Sequence, residues 1–444
     1  MLLRLFEQHG NFIRSHLEFS YIATSNHYLS DVVGLLWLGI SLPELERANQ
    51  WQTFGIREVL REMDKQILAD GADHESSTGY HRFVLELFLF TFILCRLNSI
   101  DIEQEYRQKL RLMLEYLRAY LRPDGRAPIV GDTDSGQVMP IVQHPADDHA
   151  YLLALGAVLF NDPGFRVEDR PPEELFWLFG EEGLDWFAEL VATDDSKSAG
   201  FDDAGMYVLR DRDLYLLLNA SGSGLNGRGA HGHNDALSVE VSACGSNFLC
   251  DPGTFVYTGD LEQRHLFRST HYHSTVEVDN TEQNTTDKKT PFRIGDEAQP
   301  HVLHWKTGED LELVVAEHYG YRRLAKGEIT HQRAVMFHRR ERYWLIEDRL
   351  TGSGRHQFSF IFHFAPEVEI TENRCVFAEL HDRRTGARLL ISSLDLNEPP
   401  TFEQRWFSPD YGARVPTIAA CLRIEADAPL VARWLLLPIG AEED

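Results

Sequence analysis

The sequence predicts an α+β protein of more than one domain, in which stacked helical hairpins are followed by a large antiparallel β-sandwich. Three observations carry this expectation. Apolar residues recur every three or four positions up to about residue 195, the recurrence falls to two from about residue 200, and a polar stretch, ATDDSKSAG at 192–200, separates the two regimes. The domains are accordingly expected at 1–195 and 200–444, each long enough for its own core.

In the first half, helical spacing runs over Leu17 to Gly39, Trp51 to Ala69, His81 to Leu97, Glu103 to Leu121 and Asp148 to Phe160. The connectors are turn-like: SLPE at 41–44, ADGADHESSTG at 69–79, RPDGRAP at 122–128 and NDPG at 161–164. Helices of this length joined by short polar loops form antiparallel hairpins. Phe83 to Leu94 is apolar almost all round and is expected to be an inner, fully buried helix. In the second half, Leu237, Val239, Val241 and Ala243 alternate with polar residues, as do Phe358, Phe360, Phe362 and Phe364 with Ser359, Ile361 and His363. RAVMFHRRERYWLIEDRL at 333–350 reads as a hairpin turning near Arg340.

A formal net charge of −26 argues against nucleic-acid binding, which needs clustered Lys and Arg. A polyanionic ligand would require a local basic cleft. Aromatic residues at 11% suit carbohydrate handling and thick β-cores equally. The longest apolar run, Leu87 to Cys95, is too short to span a bilayer. The first residues carry Arg4, Glu7 and Arg14 and lack a signal-peptide core, so the chain as given reads as cytoplasmic by default, and as periplasmic or secreted if a leader precedes it. Five cysteines with no CxxC spacing, Cys375 among them, read as buried reduced thiols. Self-association into a homo-oligomer is left open.

The densest chemical signal is GRGAHGHND at 227–235, followed by CDPGTFVY at 250–257 and RSTHYHSTVEVD at 268–279. His231 and His233 stand two apart, so an extended backbone would send both to one face. Two imidazoles and a carboxylate meeting at one point, with Asp251 and His273 arriving from later strands, match a zinc-like set of ligands. The bland reading, hydrogen-bonded histidines at a strand end, explains the spacing equally well. A second signal lies in the helical half: Asn26-His27 at the start of an apolar helix, and Glu75, Tyr80, His81 and Arg82 within DGADHESSTGYHR at 70–82. A tyrosine and a histidine beside an amide and a guanidinium suit proton abstraction next to a neutralised carboxylate. Taken singly, each also has a structural explanation, such as a helix cap for Asn26 or hairpin packing for Tyr80.

These two patches, in this order, resemble the heparinase II/III family of polysaccharide lyases. The matching stretches are SNHYLSDVVGLLWLG, the D-G…E-S-x-x-x-Y-H segment, and H-G-H-N-D…D-P-G-T…H-S-T-V-E-V-D. The resemblance implies an α/α toroid followed by an antiparallel β-sandwich. Only about 25 residues precede Asn26, so the toroid is expected to be incomplete. It implies β-elimination on a uronate-containing acidic polysaccharide, whether like a glycosaminoglycan, an alginate or an exopolysaccharide. It further implies a divalent metal, zinc in relatives, on His233, Asp251 and His273, acting as an architectural brace rather than in bond cleavage. Tyr80, Asn26, His27 and His231 take the catalytic positions, and Arg82, Glu75 and Tyr257 are assigned to substrate binding. A tyrosine with a pKa of about 10 needs cationic neighbours to act as a base, and His27, His81 and Arg82 are the expected suppliers. Ser30 and Ser274 depart from the residues of some relatives. Two other readings remain: a uronate C5-epimerase, which shares the proton abstraction, and a non-catalytic metal-containing glycan-binding protein.

Overall fold

The three- to four-residue periodicity becomes seven helices in the computed structural model, which describes residues 1–193, 197–371 and 377–441. These are α1 Leu2–Ser15, α2 Asn26–Ser41, α3 Ala48–Gln66, α4 Thr78–Leu97, α5 Gln104–Tyr120, α6 Ala150–Phe160 and α7 Glu173–Glu189. Helix α2 packs on α1, α3 and α4, α4 packs in turn on α5 and α6, and α6 packs on α5 and α7. As its composition requires, α4 is the inner helix: every residue from Thr78 to Cys95 is buried except Phe83 and Leu94, which are half-buried. Helices α1 and α7 were not expected from the spacing. At the close approach of α1 to α3, a Cβ on Gly10 would fall 2.4 Å from the Trp51 ring.

The start of α2 is a correction. Spacing predicts a helix from Leu17, yet Phe19, Tyr21 and Ile22 are exposed and the helix begins at Asn26. Its first N–H donates to the buried Glu75 carboxylate at 3.0 Å. A carboxylate at a helix N-terminus satisfies an orphan donor and complements the helix dipole. It comes from 49 residues away, where local periodicity cannot see it.

The strands begin at Ala199, beyond the described end of the linker. Residues 194–196, within the expected boundary, and Cys375 lie outside the described residues, and the other four cysteines are free thiols. Strands β1 Ala199–Phe201, β2 Met206–Asp211, β3 Leu214–Asn219, β4 Ser238–Ala243 and β5 Ser246–Leu249 form an antiparallel sheet in sequence order. Helix α8 Leu261–Phe267 follows, then β6 Val276–Val278, β7 His301–Lys306, β8 Leu311–His318, β9 Ile329–His338, β10 Tyr343–Gly352, β11 Arg355–His363, β12 Glu369–Thr371, β13 Ala378–His381, β14 Arg388–Ser393, β15 Thr401–Asp410, β16 Ala413–Asp427 and β17 Leu430–Ile439. They make an eight-stranded sheet, β12-β13-β14-β17-β10-β9-β8-β7, and a four-stranded sheet, β15-β16-β11-β6. The hairpin expected near Arg340 is the β9–β10 pair, closed by residues 339–342.

The two-residue period explains how the halves join. On β2 and β3, Met206, Val208, Tyr215 and Leu217 enter the helical core, while Tyr207, Leu209, Leu214, Leu216 and Leu218 enter the sandwich core. Successive side chains point to opposite faces, so a sheet covered on both sides reads as a continuous apolar run such as LYLLL. Phe358, Phe360, Phe362 and Phe364 share the sandwich core with Trp344 and Trp434 of the eight-stranded sheet. No described helix is long and apolar enough to cross a membrane.

A buried ion pair stiffens the sandwich beneath the loops that carry the candidate ligands. Arg333 donates to Asp348 at 2.7 and 3.0 Å and to the carbonyls of Leu237 and Ser274 at 2.7 and 2.8 Å. Burial would raise the Asp348 carboxyl, but Arg333 and His331 outweigh it and hold it at about 2. Arg333→Leu leaves that buried carboxylate with His331 and Trp434 but without its guanidinium, and is expected to cost about 3–5 kcal/mol in urea denaturation.

His144 fastens the loop before α6 to α7. It stacks on Tyr151 and pairs with Asp148 at 3.1 Å and Glu174 at 2.9 Å. Burial opposes its charge, but the two carboxylates win and push it up to about 9. The folded pKa is raised, so this stabilisation is complete below about 6.5 and is lost as pH rises through about 9. Melting temperature should fall across that window, and His144→Gln should flatten the fall.

Candidate active site and metal centre

Between β3 and β4 the chain leaves the sheet as a glycine-rich loop, 220–237, and both histidines of its H-G-H-N-D segment turn to one carboxylate. His231 Nδ1 donates to Asp132 Oδ2 at 3.1 Å and His233 Nε2 donates to Asp132 Oδ1 at 2.9 Å. Arg264 of α8 closes the same carboxylate with a two-pronged contact, 2.7 Å from its Nη2 to Oδ2 and a shorter one from its Nη1. All four groups are buried. Desolvation alone would raise the Asp132 carboxyl, but the Arg264 charge and the two histidine bonds hold it far below the usual carboxylate range.

Asp132 stands in the 131–136 turn, GDTDSG, which docks against the start of α4. The Ser77 hydroxyl donates to the Asp132 carbonyl and accepts the N–H of Tyr80 at 3.1 Å, joining the helix cap to the turn. Gly131 has φ +70°, and a Cβ there would lie 2.8 Å from the Ser76 carbonyl and 2.9 Å from that of His231. Only glycine allows the turn to approach both segments this closely.

The donor set fits a divalent cation. One ligand atom from each of His233, Asp235, Asp251 and His273 lies within 4.8 Å of the others, and all four residues are buried. His273 Nδ1 donates to the Ser269 carbonyl at 2.8 Å, so its Nε2 is the bare nitrogen. The Asp132 bond likewise leaves His233 Nδ1 bare. These two nitrogens face each other at 3.4 Å, and Asp251 Oδ2 lies 3.4 Å from His273 Nε2. Two lone pairs at that separation repel unless a proton or a cation lies between them. Burial, then the charges of Asp235 and Glu240, push the Asp251 carboxyl well above its usual range, a strain that a cation relieves. Two nitrogens and two carboxylates suit zinc, and bonding of the outer ring nitrogens to Asp132 and a carbonyl orients the ligands. The structure thus gathers the three expected ligands and adds Asp235. Its signal was present in the sequence: it stands two residues beyond His233, the same interval that pairs His233 with His231.

The second cluster meets the first at His231. The Tyr80 ring lies on the His231 ring, with centroids 3.5 Å apart and planes 18° from parallel. The Tyr80 hydroxyl donates to Asp134 at 2.9 Å and lies 3.3 Å from the Tyr257 hydroxyl. Burial, then the Asp134 charge, raise the Tyr80 phenol well above its usual value, and burial and Asp132 do the same to Tyr257. Both rest as neutral phenols. His231 Nε2 is 3.2 Å from Glu75, whose other oxygen accepts the Asn26 amide at 2.9 Å. Phe292 and Tyr411 pack against Tyr257 at 5.1 and 5.2 Å and are exposed, so the cluster comes to the surface beside them.

Four expectations need correction. Glu75, expected to touch substrate, is 1% exposed and is occupied with Asn26 and His231. Arg82 is also 1% exposed, and its guanidinium is bonded to Glu86 and the Gly136 carbonyl inside the helical half. His81 pairs with the Met113 carbonyl and the Asp73 N–H, and burial lowers it to about 4. His27 is turned outward onto Glu18 at 2.8 Å and does not join the cluster. The reason is helical geometry: consecutive residues point about 100° apart, so Tyr80, His81 and Arg82 diverge, as do Asn26 and His27. Tyr80 therefore has a carboxylate, Asp134, as its neighbour instead of the cations expected.

Both halves of the chain are similar to known proteins. Residues 193–435 match the family model described as Heparinase II/III-like, C-terminal, and residues 1–146 match that of Heparinase II/III N-terminus. A heparin-sulfate lyase of Pedobacter heparinus is 26% identical over 422 residues, covering 90% of this chain and 55% of the relative. One of Bacteroides stercoris is 22% identical over 448 residues, covering 97% of this chain and 59% of the relative. The chain thus spans a little over half the length of these curated relatives. In fold it is similar to the crystal structure of a heparan sulfate lyase from Pedobacter heparinus, with a TM-score of 0.74 at 22% identity, covering 100% of this chain and 64% of that one. A structure of heparinase III gives a TM-score of 0.77 at 19% identity, covering 99% and 65%. The chain belongs to the heparinase II/III family.

Proposed function

We propose that the protein is a polysaccharide lyase that cleaves a uronate-containing acidic polysaccharide, of the heparan sulfate type, by β-elimination. The observation that carries this reading is the stack of Tyr80 on His231, a phenol and an imidazole brought from the two halves of the chain to within 3.5 Å at the cleft. The names of the heparin-sulfate lyase relatives supply the substrate class. An exposed basic segment beside the site, Lys288, Lys289 and Arg293 around Phe292, gives a polyanion a local partner on a chain of net charge −26.

Elimination removes the proton on C5 of the uronate and breaks the bond from C4 to the glycosidic oxygen, leaving a C4=C5 double bond. His231 Nε2, once substrate has parted it from Glu75, takes the C5 proton, its ring held by Asp132 through Nδ1. Tyr80, kept protonated by burial and Asp134, gives its hydroxyl proton to the departing oxygen. A proton then returns from His231 to Tyr80, so none is consumed. The Asn26 amide, fixed by Glu75, receives the substrate carboxylate as charge develops on it. A divalent ion on His233, Asp235, Asp251 and His273, zinc in our reading, would neutralise the paired carboxylates and hold the loop that presents His231.

Digestion of heparan sulfate in isotopically heavy water tests the chemistry. Elimination yields fragments without solvent oxygen at the cleaved bond. Incorporation of that oxygen would mean hydrolysis, and altered uronate stereochemistry at unchanged chain length would mean epimerisation; either contradicts the reading.

A further inference from the structure

A second polar cluster lies in the helical half, behind Asn26. Asp73, His74 and Glu75 are consecutive, all three are buried, and one ligand atom from each lies within 4.8 Å of the others. Asn26 and His231 occupy Glu75, but the surrounding protein does not satisfy the other two. Asp73 Oδ1 and His74 Nε2 are buried without any hydrogen-bond partner, on residues 5% and 9% exposed. A third orphan is Gln66 Oε1, on the fully buried residue whose carbonyl accepts the His74 N–H at 2.9 Å. An unsatisfied buried polar atom has given up its hydration with nothing in exchange. Three on one short hairpin, closed by the Ile67–Asp73 bridge, point to a missing shared partner.

The charges say what kind of partner. Asp73 and Glu75 sit together, and Glu62, 0% exposed, is near enough for its charge to act on His74. Burial, then the Glu75 charge, raise the Asp73 carboxyl well above its usual range. The cations at hand are used elsewhere: Lys65 reaches Glu62 at 2.7 Å, and Arg82 is held by Glu86. Three acceptors with negative charge around them and no local cation suit a metal ion rather than an anion or a neutral ligand.

We propose that Asp73, His74 and Glu75 bind a second divalent transition-metal ion, separate from the one on His233, Asp235, Asp251 and His273. Two carboxylates and one imidazole make a harder donor set than that of the sandwich site, suited to zinc or manganese. Glu75 is shared with Asn26 and with His231 Nε2, so the ion sits directly behind the groups that face the cleft.

The test is metal stoichiometry by elemental analysis, after chelator-stripped full-length protein is reloaded with zinc or manganese chloride and dialysed. The wild type should hold two ions per chain, His74→Gln one, Asp73→Asn one and His233→Ala one, with circular dichroism confirming that the first two variants are folded. Anomalous diffraction from wild-type crystals should give a peak beside His74 Nε2, a readout independent of any variant. A single ion per chain that disappears in His233→Ala and persists in His74→Gln would overturn the second site while sparing the first. Ordered water without anomalous signal beside His74 would overturn it equally.

Discussion

Tyr80→Phe is expected to lower turnover of a uronate polysaccharide by about 10²- to 10⁴-fold, the range for removing a positioned proton donor or acceptor. The substitution deletes one oxygen. The ring that stacks on His231 remains, and so does the cap that Ser77 makes to the Tyr80 N–H. The lost contacts are the hydroxyl bond to Asp134 at 2.9 Å and the approach to Tyr257 at 3.3 Å. Since both partners are near the cleft, folding should be little affected, and substrate affinity should change less than the chemical step. Comparing kcat and KM on heparan sulfate checks this: a fall confined to kcat marks a transition-state role, and unchanged kcat removes Tyr80 from the chemistry.

Asp132→Ala is expected to lower stability by about 3–5 kcal/mol, because it strands the buried Arg264 charge. It also frees the rings of His231 and His233 together, since each is held by one of the two carboxylate oxygens. One substitution should therefore lower stability, metal retention and turnover at once. Asp132→Asn keeps the shape of the group but replaces one oxygen with a donor that faces either Arg264 or a histidine N–H, so it should recover only part of the loss. Urea denaturation alongside metal content separates the effects. A stability loss with normal metal retention would show that Asp132 serves Arg264 alone.

Much of the architecture was legible because it rests on period. The inner position of α4 follows from a run without a polar face, and the β9–β10 hairpin from two alternating runs around Arg340. The ends of helices were less legible, because they are set by partners distant in sequence. Glu75 starts α2 from 49 residues away, and nothing in the local spacing reveals that Phe19, Tyr21 and Ile22 stay in solvent.

The candidate site divides in the same way. His233, Asp251 and His273 stood in recognisable segments and converge, and Asp235 was visible by its interval. Asp132 was not visible: it lies in an aperiodic turn and meets His231 and His233 from 99 and 101 residues away. The fates of Arg82, His81 and His27 depended on which side of a helix faces the cleft. That phase is decided by packing of α2 and α4, not by adjacency in the chain.

Ultraviolet absorbance of a heparan sulfate solution after addition of the purified protein tests the central claim most directly, because a C4=C5 double bond conjugated to the uronate carboxylate absorbs and the intact polymer does not. The account predicts a steady rise in absorbance that matches the appearance of new reducing ends and is largely abolished by Tyr80→Phe. New reducing ends without absorbance, or no change with any uronate polymer, would contradict it.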